Sequence, residues 1–144
     1  MASIHSDVLV NVGAEQAWAA LREVGNVARL FADVLVDARL DGDLRTVTFA
    51  NGSIVRERII DIDEARRRVA YAVLDEPFAH HNASMQILPE APSTCRFVWI
   101  SDFLPGSVAG GVAPLIEAGS QAFKRNVEEQ SRRSQAEVPA GSGG

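Results

Sequence analysis

The amino-acid sequence predicts an α+β domain in which a long antiparallel sheet curves around one C-terminal helix. Three observations carry that prediction. From Asp33 to Pro105 the chain reads as strand after strand, with apolar and polar positions alternating in a period of two. Turn signals separate the strands, Asp41–Gly42 and Asn51–Gly52 most clearly, because these residue types tolerate the positive φ of a tight hairpin. Beyond Pro105–Gly106 the apolar spacing becomes helical. A sheet this long has one face to bury and one long helix to bury it with, so it must wrap around the helix. One helix cannot fill the whole concave face, and a cavity between the two is expected.

The elements follow in order. "SIHSDVLV" (3–10) is the first strand. "GAEQAWAALREV" then places Ala14, Ala17, Trp18 and Leu21 on one helical face, with Glu15 in the first turn, where the helix dipole favours it. Gly25–Asn26 interrupts this helix, and "VARLF" makes a second short one. "DVLVDARL" puts Val34, Val36, Ala38 and Leu40 on one strand face. The strands "LRTVTFA", "SIVRERIIDI", "RVAYAVL", "HHNASMQIL" and "TCRFVWISDFL" follow, with turns at "DEARR" and "PEAPS". A helix is predicted over about 108–133, with Val108, Val112, Leu115, Ile116, Gly119, Ala122, Phe123 and Val127 as its apolar stripe. Pro114 kinks this helix or marks its true start. Arg125, Glu128, Glu129, Arg132 and Arg133 form a solvated face laced with ion pairs. Residues 1–135 are expected to form one domain, and 136–144 a flexible tail.

Bulk composition narrows the function. The chain has 144 residues, suited to one domain, and 47% apolar residues, too many for general disorder. Net charge is −5, with no basic face, which argues against nucleic acid as a partner. Cys95 is the single cysteine, so neither an intrachain disulfide nor a multi-thiolate metal site is possible. The N-terminus lacks a signal-peptide pattern and no stretch approaches 18 apolar residues, so a cytoplasmic protein without a membrane span is expected. No cofactor is implied, and a homodimer is compatible with the sequence.

The order of elements resembles the SRPBCC superfamily, which includes START domains, the birch-pollen allergen, plant abscisic acid receptors and bacterial polyketide cyclase/dehydratase-like proteins. The opening strand followed by "AEQAWAALREVGNVARLF", the strand "RERIIDID", "VAYAV", and "RFVWISDFLP" leading into the last helix carry the likeness, over about residues 3–130. The resemblance implies the helix-grip fold, seven antiparallel strands around a C-terminal helix, with an internal cavity for a hydrophobic or amphipathic ligand. It implies no reaction, since the superfamily holds enzymes, carriers and receptors. A cone-shaped cyclase fold fits less well, because it ends in strands.

"PFAHHNASMQI" (77–87) raises the question of a site. His80 and His81 are neighbours in a strand and point to opposite faces, and the only other histidine is His5, so a metal site is not expected. The alternation offers two sets: His80, Asn82, Ser84 and Gln86 on one face, His81, Ala83, Met85 and Ile87 on the other. Ordinary burial favours the apolar set inside. A ligand cavity instead draws polar groups inward, and the abscisic acid receptors place the matching positions in their pocket. The reading adopted has Asn82 and Ser84 facing the cavity, with His80 or His81 near its mouth.

Glu57 matches a pocket-lining acidic residue of those receptors. Facing inward, it would orient a ligand hydroxyl or act as a general base if desolvation raised its pKa; facing outward, it would pair with a cross-strand arginine. Tyr71 shares parity with Val69 and Val73, and Trp99 lies on the internal face with Phe97, Ser101 and Phe103. Asp102 has the opposite parity and needs a bulge to turn inward. Cys95 has no base beside it in sequence and is expected to be structural. "GSVAGG" is a candidate gate rather than a phosphate loop, since it lacks the Gly-Lys-Ser/Thr ending. The expected ligand-binding set is therefore Glu57, Tyr71, His81, Asn82, Ser84, Trp99 and Asp102. Three functions fit: a binder or carrier of a small hydrophobic ligand, a cyclase or dehydratase using cavity acid/base residues, and an interaction module with a filled core.

Overall fold

The computed structural model describes residues 2–137. Strand β1 (Ala2–Val10) leads into helices α1 (Ala14–Leu21) and α2 (Val27–Leu30), the latter preceded by a 3-10 turn at Val24–Asn26. Strands β2 (Leu35–Asp41), β3 (Leu44–Phe49), β4 (Ile54–Asp63), β5 (Arg68–Val73), β6 (His80–Ala91) and β7 (Thr94–Leu104) then run to helix α3 (Ala109–Glu137). All seven strands form one sheet in the order β1-β7-β6-β5-β4-β3-β2, and every pairing is antiparallel. This is the helix-grip architecture that the element order implied. The tail expected over 136–144 falls, past Glu137, outside the described residues.

Local chemistry sets these elements. Gly42 and Gly52 adopt φ of 62° and 92°, the left-handed conformation the β2–β3 and β3–β4 turns require. In α1, Ala14, Ala17, Trp18 and Leu21 are all buried, the face given by their spacing. Helix α3 is gripped unevenly. Its C-terminal half buries Ala122, Phe123 and Val127, whereas Val112 and Leu115, nearer its start, stay partly or largely exposed. Phe123 stacks on Phe97 with centroids 4.1 Å apart, and Phe31 tilts against both. Each such ring contributes on the order of 1.5–3 kcal/mol by leaving water. A buried Ser6–Ser120 hydroxyl pair at 2.7 Å ties α3 to β1. One end of the molecule is thus solidly packed, and the other is where sheet and helix diverge.

Three local expectations need correction. Val36 is 62% exposed, because a register shift between Leu35 and Asp37 takes it out of the alternation expected of β2. Ala38 and Leu40 keep one face, opposite Val47 and Arg45, although Leu40, on an edge strand, is still 44% exposed. Strand β6 runs through Pro89 and Glu90 to Ala91, accommodating Pro89 at a second register shift, so the turn to β7 is shorter than "PEAPS". Helix α3 begins five residues before Pro114, which therefore lies inside the helix and does not mark its start; lacking an N–H, it leaves the Gly110 carbonyl without its i+4 donor. On its solvated face Lys124 pairs with Glu128 and Arg133 with Glu129, while Arg125 reaches Asp33.

Candidate functional site

The diverging end encloses a cavity of about 640 Å³ between the concave face of the sheet and the N-terminal half of α3. Its walls are mainly apolar: Val27, Phe31 and Leu35 from the α2 region, Val47, Phe49 and Val55 from the β3–β4 hairpin, Met85 and Trp99 from the centre of the sheet, and Ile116 from the helix. The exposed lining residues Asn51, Ser53 and Ile54 of the β3–β4 turn, Glu76 and Pro77 before β6, and Gly111 and Leu115 of α3 form the rim. Gly111 places the end of the glycine-rich segment at this opening.

Five polar side chains line the interior: Arg45, Glu57, Tyr71, His81 and Ser101. Glu57 is buried and accepts from Arg45 Nε at 2.8 Å across the β3–β4 pair. Arg45 also donates to the Val24 carbonyl at 3.0 Å, and its guanidinium lies 5.3 Å from the centre of the Tyr71 ring. Glu57 is therefore both inward and bound to a cross-strand arginine, joining the two readings its sequence allowed. Burial pushes its carboxyl above the ordinary range, and the attraction of Arg45 offsets only part of that. Tyr71 accepts from Trp99 Nε1 at 3.1 Å. Burial first, and the Glu57 charge second, hold the Tyr71 hydroxyl well above its usual pKa.

His81 answers the question posed by the histidine pair. Strands β5 and β6 are in register only to Tyr71↔Ala83, and the His81 side chain then takes over as partner of the next free amide: Nδ1 accepts from the Val73 N–H at 2.9 Å. The other ring nitrogen lies 3.1 Å from Ser101 Oγ. The pKa of His81 is pushed down to about 4, chiefly by burial, with His80 adding and Asp102 opposing. The imidazole is neutral at physiological pH, and both of its nitrogens are engaged.

Asn82, Ser84 and Asp102 are placed otherwise than expected. Residues 81, 83, 85 and 87 are buried and their neighbours are not, so the apolar set of β6 faces inward. Asn82 pairs with Asp102 and Ser84 with Ile100, all turned to the outer face. No register shift interrupts β6–β7 near Asp102, so nothing turns it inward. Instead Asp102 accepts from Ser3 at 2.5 Å and Asn82 at 3.1 Å, and His80 bonds Asn82 at 2.8 Å, in a shallow groove outside the sheet. Glu57, Tyr71, His81 and Trp99 do line the cavity. Arg45 and Ser101 were not singled out by the sequence reading. Among the described residues no group of three or more His, Cys, Asp or Glu is placed to hold a metal, and no helix is long and apolar enough to cross a membrane. Cys95 is free and buried, its thiol pushed up to about 11 by burial and then by Glu128.

Fold and cavity together define a helix-grip domain. Residues 1–135 match the family model described as polyketide cyclase / dehydrase and lipid transport, and the chain belongs to that family of the SRPBCC type. No curated protein matches the chain by sequence. Among solved structures it is similar to an uncharacterized protein from Bacillus thuringiensis, with TM-score 0.78, 17% identity and coverage of 88% of this chain and 98% of that one. It is also similar to norcoclaurine synthase from Thalictrum flavum, solved in complex with dopamine and hydroxybenzaldehyde, with TM-score 0.70, 17% identity and coverage of 89% and 87%. The di-domain ARO/CYC BexL of the BE-7585A biosynthetic pathway gives TM-score 0.76 and 19% identity over 89% of this chain, which spans 47% of BexL. At these identities the likeness establishes the fold.

Proposed function

We propose that the protein binds a small hydrophobic or amphipathic ligand, aromatic, polyketide-like or lipid-like, between sheet and α3, and acts as a binder or carrier. The observation that carries this reading is the cavity itself: about 640 Å³, apolar on most of its wall, with a few polar groups on one side. A filled core, the interaction-module reading, has no such space. Glu57, Tyr71, His81 and Trp99 are proposed as ligand contacts, joined by Arg45 and Ser101. Carriage fits better than chemistry because the polar groups are mutually committed: Glu57 to Arg45, and both nitrogens of His81 to Val73 and Ser101.

One observation favours a second reading, an enzyme of the cyclase or dehydratase type. The raised pKa of Glu57 brings its carboxyl toward the range useful for a general base, within the same cavity as the Tyr71 hydroxyl. Glu57→Gln separates the two. Loss of a general base lowers turnover by about 10²–10⁴-fold. Loss of a ligand hydrogen bond to a charged group shifts affinity by about 1.5–3 kcal/mol. Mass spectrometry of small molecules that co-purify with the native chain tests the binding reading directly. Recovery of no apolar compound, together with no uptake of naphthalene-sized probes, would remove it.

A further inference from the structure

The direction of two hydrogen bonds in the cavity wall determines what is left for a ligand. An indole N–H can only donate, so in the 3.1 Å Trp99–Tyr71 contact the phenolic oxygen is the acceptor. A backbone N–H can only donate, so His81 Nδ1 is the acceptor from Val73. The neutral ring then carries its proton on Nε2, and the 3.1 Å contact to Ser101 runs from His81 to the serine oxygen. Both hydroxyls are thus occupied as acceptors, and among the described residues neither proton has an acceptor. Tyr71 and Ser101 share one row of the sheet, each opposite Ala83, and both line the cavity. The charges of the interior cancel, because the Arg45 guanidinium is bound to the Glu57 carboxylate at 2.8 Å, and the rim carries the further carboxyl group of Glu76.

We infer that the cavity selects a neutral ligand whose apolar body carries carbonyl-type acceptor oxygens, taken by the hydroxyl protons of Tyr71 and Ser101, ahead of oxygen-free hydrocarbons and of anions such as carboxylates. The inference rests on the reading of this cavity as a ligand site and deepens it. A hydrocarbon leaves both hydroxyl protons unpaired in an apolar enclosure, and that is where a hydrogen-bonding pocket discriminates. A carboxylate brings a net charge into a wall whose own cation is already paired, so its desolvation is poorly compensated.

Three probes with one ring system test it on the full chain near neutral pH: 2-acetylnaphthalene, its oxygen-free isostere 2-isopropenylnaphthalene, and 2-naphthoate. The ketone is expected to bind about two- to tenfold more tightly than the hydrocarbon for each hydrogen bond it gains, with naphthoate weakest. The infrared carbonyl stretch of the bound ketone should lie below its position in hexane. Tyr71→Phe and Ser101→Ala should each reduce both that shift and the ketone's advantage over the hydrocarbon. The infrared comparison on the unmodified protein decides the matter even where a variant folds poorly. If ketone and hydrocarbon bind equally, or the stretch stays at its hexane position, the inference is overturned while the ligand site stands. Tightest binding by naphthoate overturns it in the same way. If none of the three binds, the ligand-site reading falls and the inference falls with it.

Discussion

The indole of Trp99 occupies the place where a side chain at Gly119 would begin: a Cβ built on Gly119 would meet Trp99 Cζ3 at 2.6 Å and Cη2 at 3.1 Å. The absence of a side chain at this point of α3 is what lets the ring approach the helix so closely and still donate to Tyr71. Phe31 and Phe97 pack against the indole, with centroids 5.7 and 6.1 Å away, so the free direction for a displaced ring is the cavity. Gly119→Ala should therefore destabilise the fold by about 1–3 kcal/mol, the usual cost of overpacking, and push the indole into the ligand space. Trp99→Phe should absorb most of that cost. A double-mutant cycle by urea unfolding gives the coupling, and strictly additive penalties would contradict the close approach.

Breaking the Arg45–Glu57 pair should cost more than removing it. Both side chains are nearly inaccessible, 5% and 11% exposed. Arg45→Met leaves a buried carboxylate, and Glu57→Leu leaves a buried guanidinium; each should cost about 3–5 kcal/mol. The double variant buries neither charge and should recover most of the loss. Chemical denaturation of the three variants checks the order. A double variant as unstable as the sum of the singles would mean that the pair holds the wall through something other than mutual neutralisation.

That pair also shows how far the sequence could be read. The Asn51–Gly52 turn fixes the β3–β4 register, and a register centred on Asn51 puts Arg45 opposite Glu57. The partner of Glu57 was thus encoded in a turn that the sequence reading identified, but the pairing was not carried along the strand. The strands themselves were legible because alternation and turn chemistry agree, and α1 because four apolar residues share one face. The parity of β6 was legible as well: alternation sets Ala83, Met85 and Ile87 against Asn82, Ser84 and Gln86 and favours the apolar set inside, as the structure has it. The match of Asn82 and Ser84 to the receptors' pocket positions points the other way. Long-range pairing decides it. Ala83 lies between Tyr71 and Ser101, and His81 opposite Phe103, which fixes the inner face and sends Asn82, Ser84 and Asp102 outward. The role of His81 depends on an amide at the end of β5, information that no local window contains.

Cys95 should behave as an inert thiol. It is fully buried beside β1, and burial together with Glu128 holds the thiol at about 11, so almost no thiolate forms near neutral pH. A disulfide reagent such as DTNB should label the native protein slowly and the urea-unfolded chain fast. Equal rates in the two states would show that the strand pair covering Cys95 opens readily.

His81 should make stability fall as the solution is acidified, over a window set by its own shift. Its folded pKa is about 4 against an ordinary value of 6.5. Above 6.5 the ring is neutral in both states, and the histidine makes no pH-dependent contribution. Between 6.5 and about 4 the unfolded chain takes up a proton that the folded chain refuses, so the folded state loses ground. Below about 4 both states are protonated and the loss levels off. The full effect is about 3 kcal/mol by linkage, less to the extent that solvent screens the ring. The physical cause is double: the charged ring is poorly solvated in the cavity wall, and protonation of Nδ1 removes the acceptor of the Val73 amide. Other groups titrate nearby. The carboxyls of Asp63, Glu64, Asp75 and Glu128 are held low and lose stability as pH falls below their ordinary values. Glu57, held high, acts in the opposite sense: it favours the folded state in acid and loses that contribution as pH rises. All of these persist in His81→Gln, which keeps an amide oxygen for Val73 and an N–H for Ser101 but does not titrate in this range. The difference between the stability–pH curves of the native protein and His81→Gln therefore isolates the histidine. It should be flat above pH 6.5, slope through the window and flatten again near 4. Parallel curves throughout would mean that His81 reaches solvent and titrates like an unburied histidine, and the Nε2–H tautomer assigned to it would lose its support.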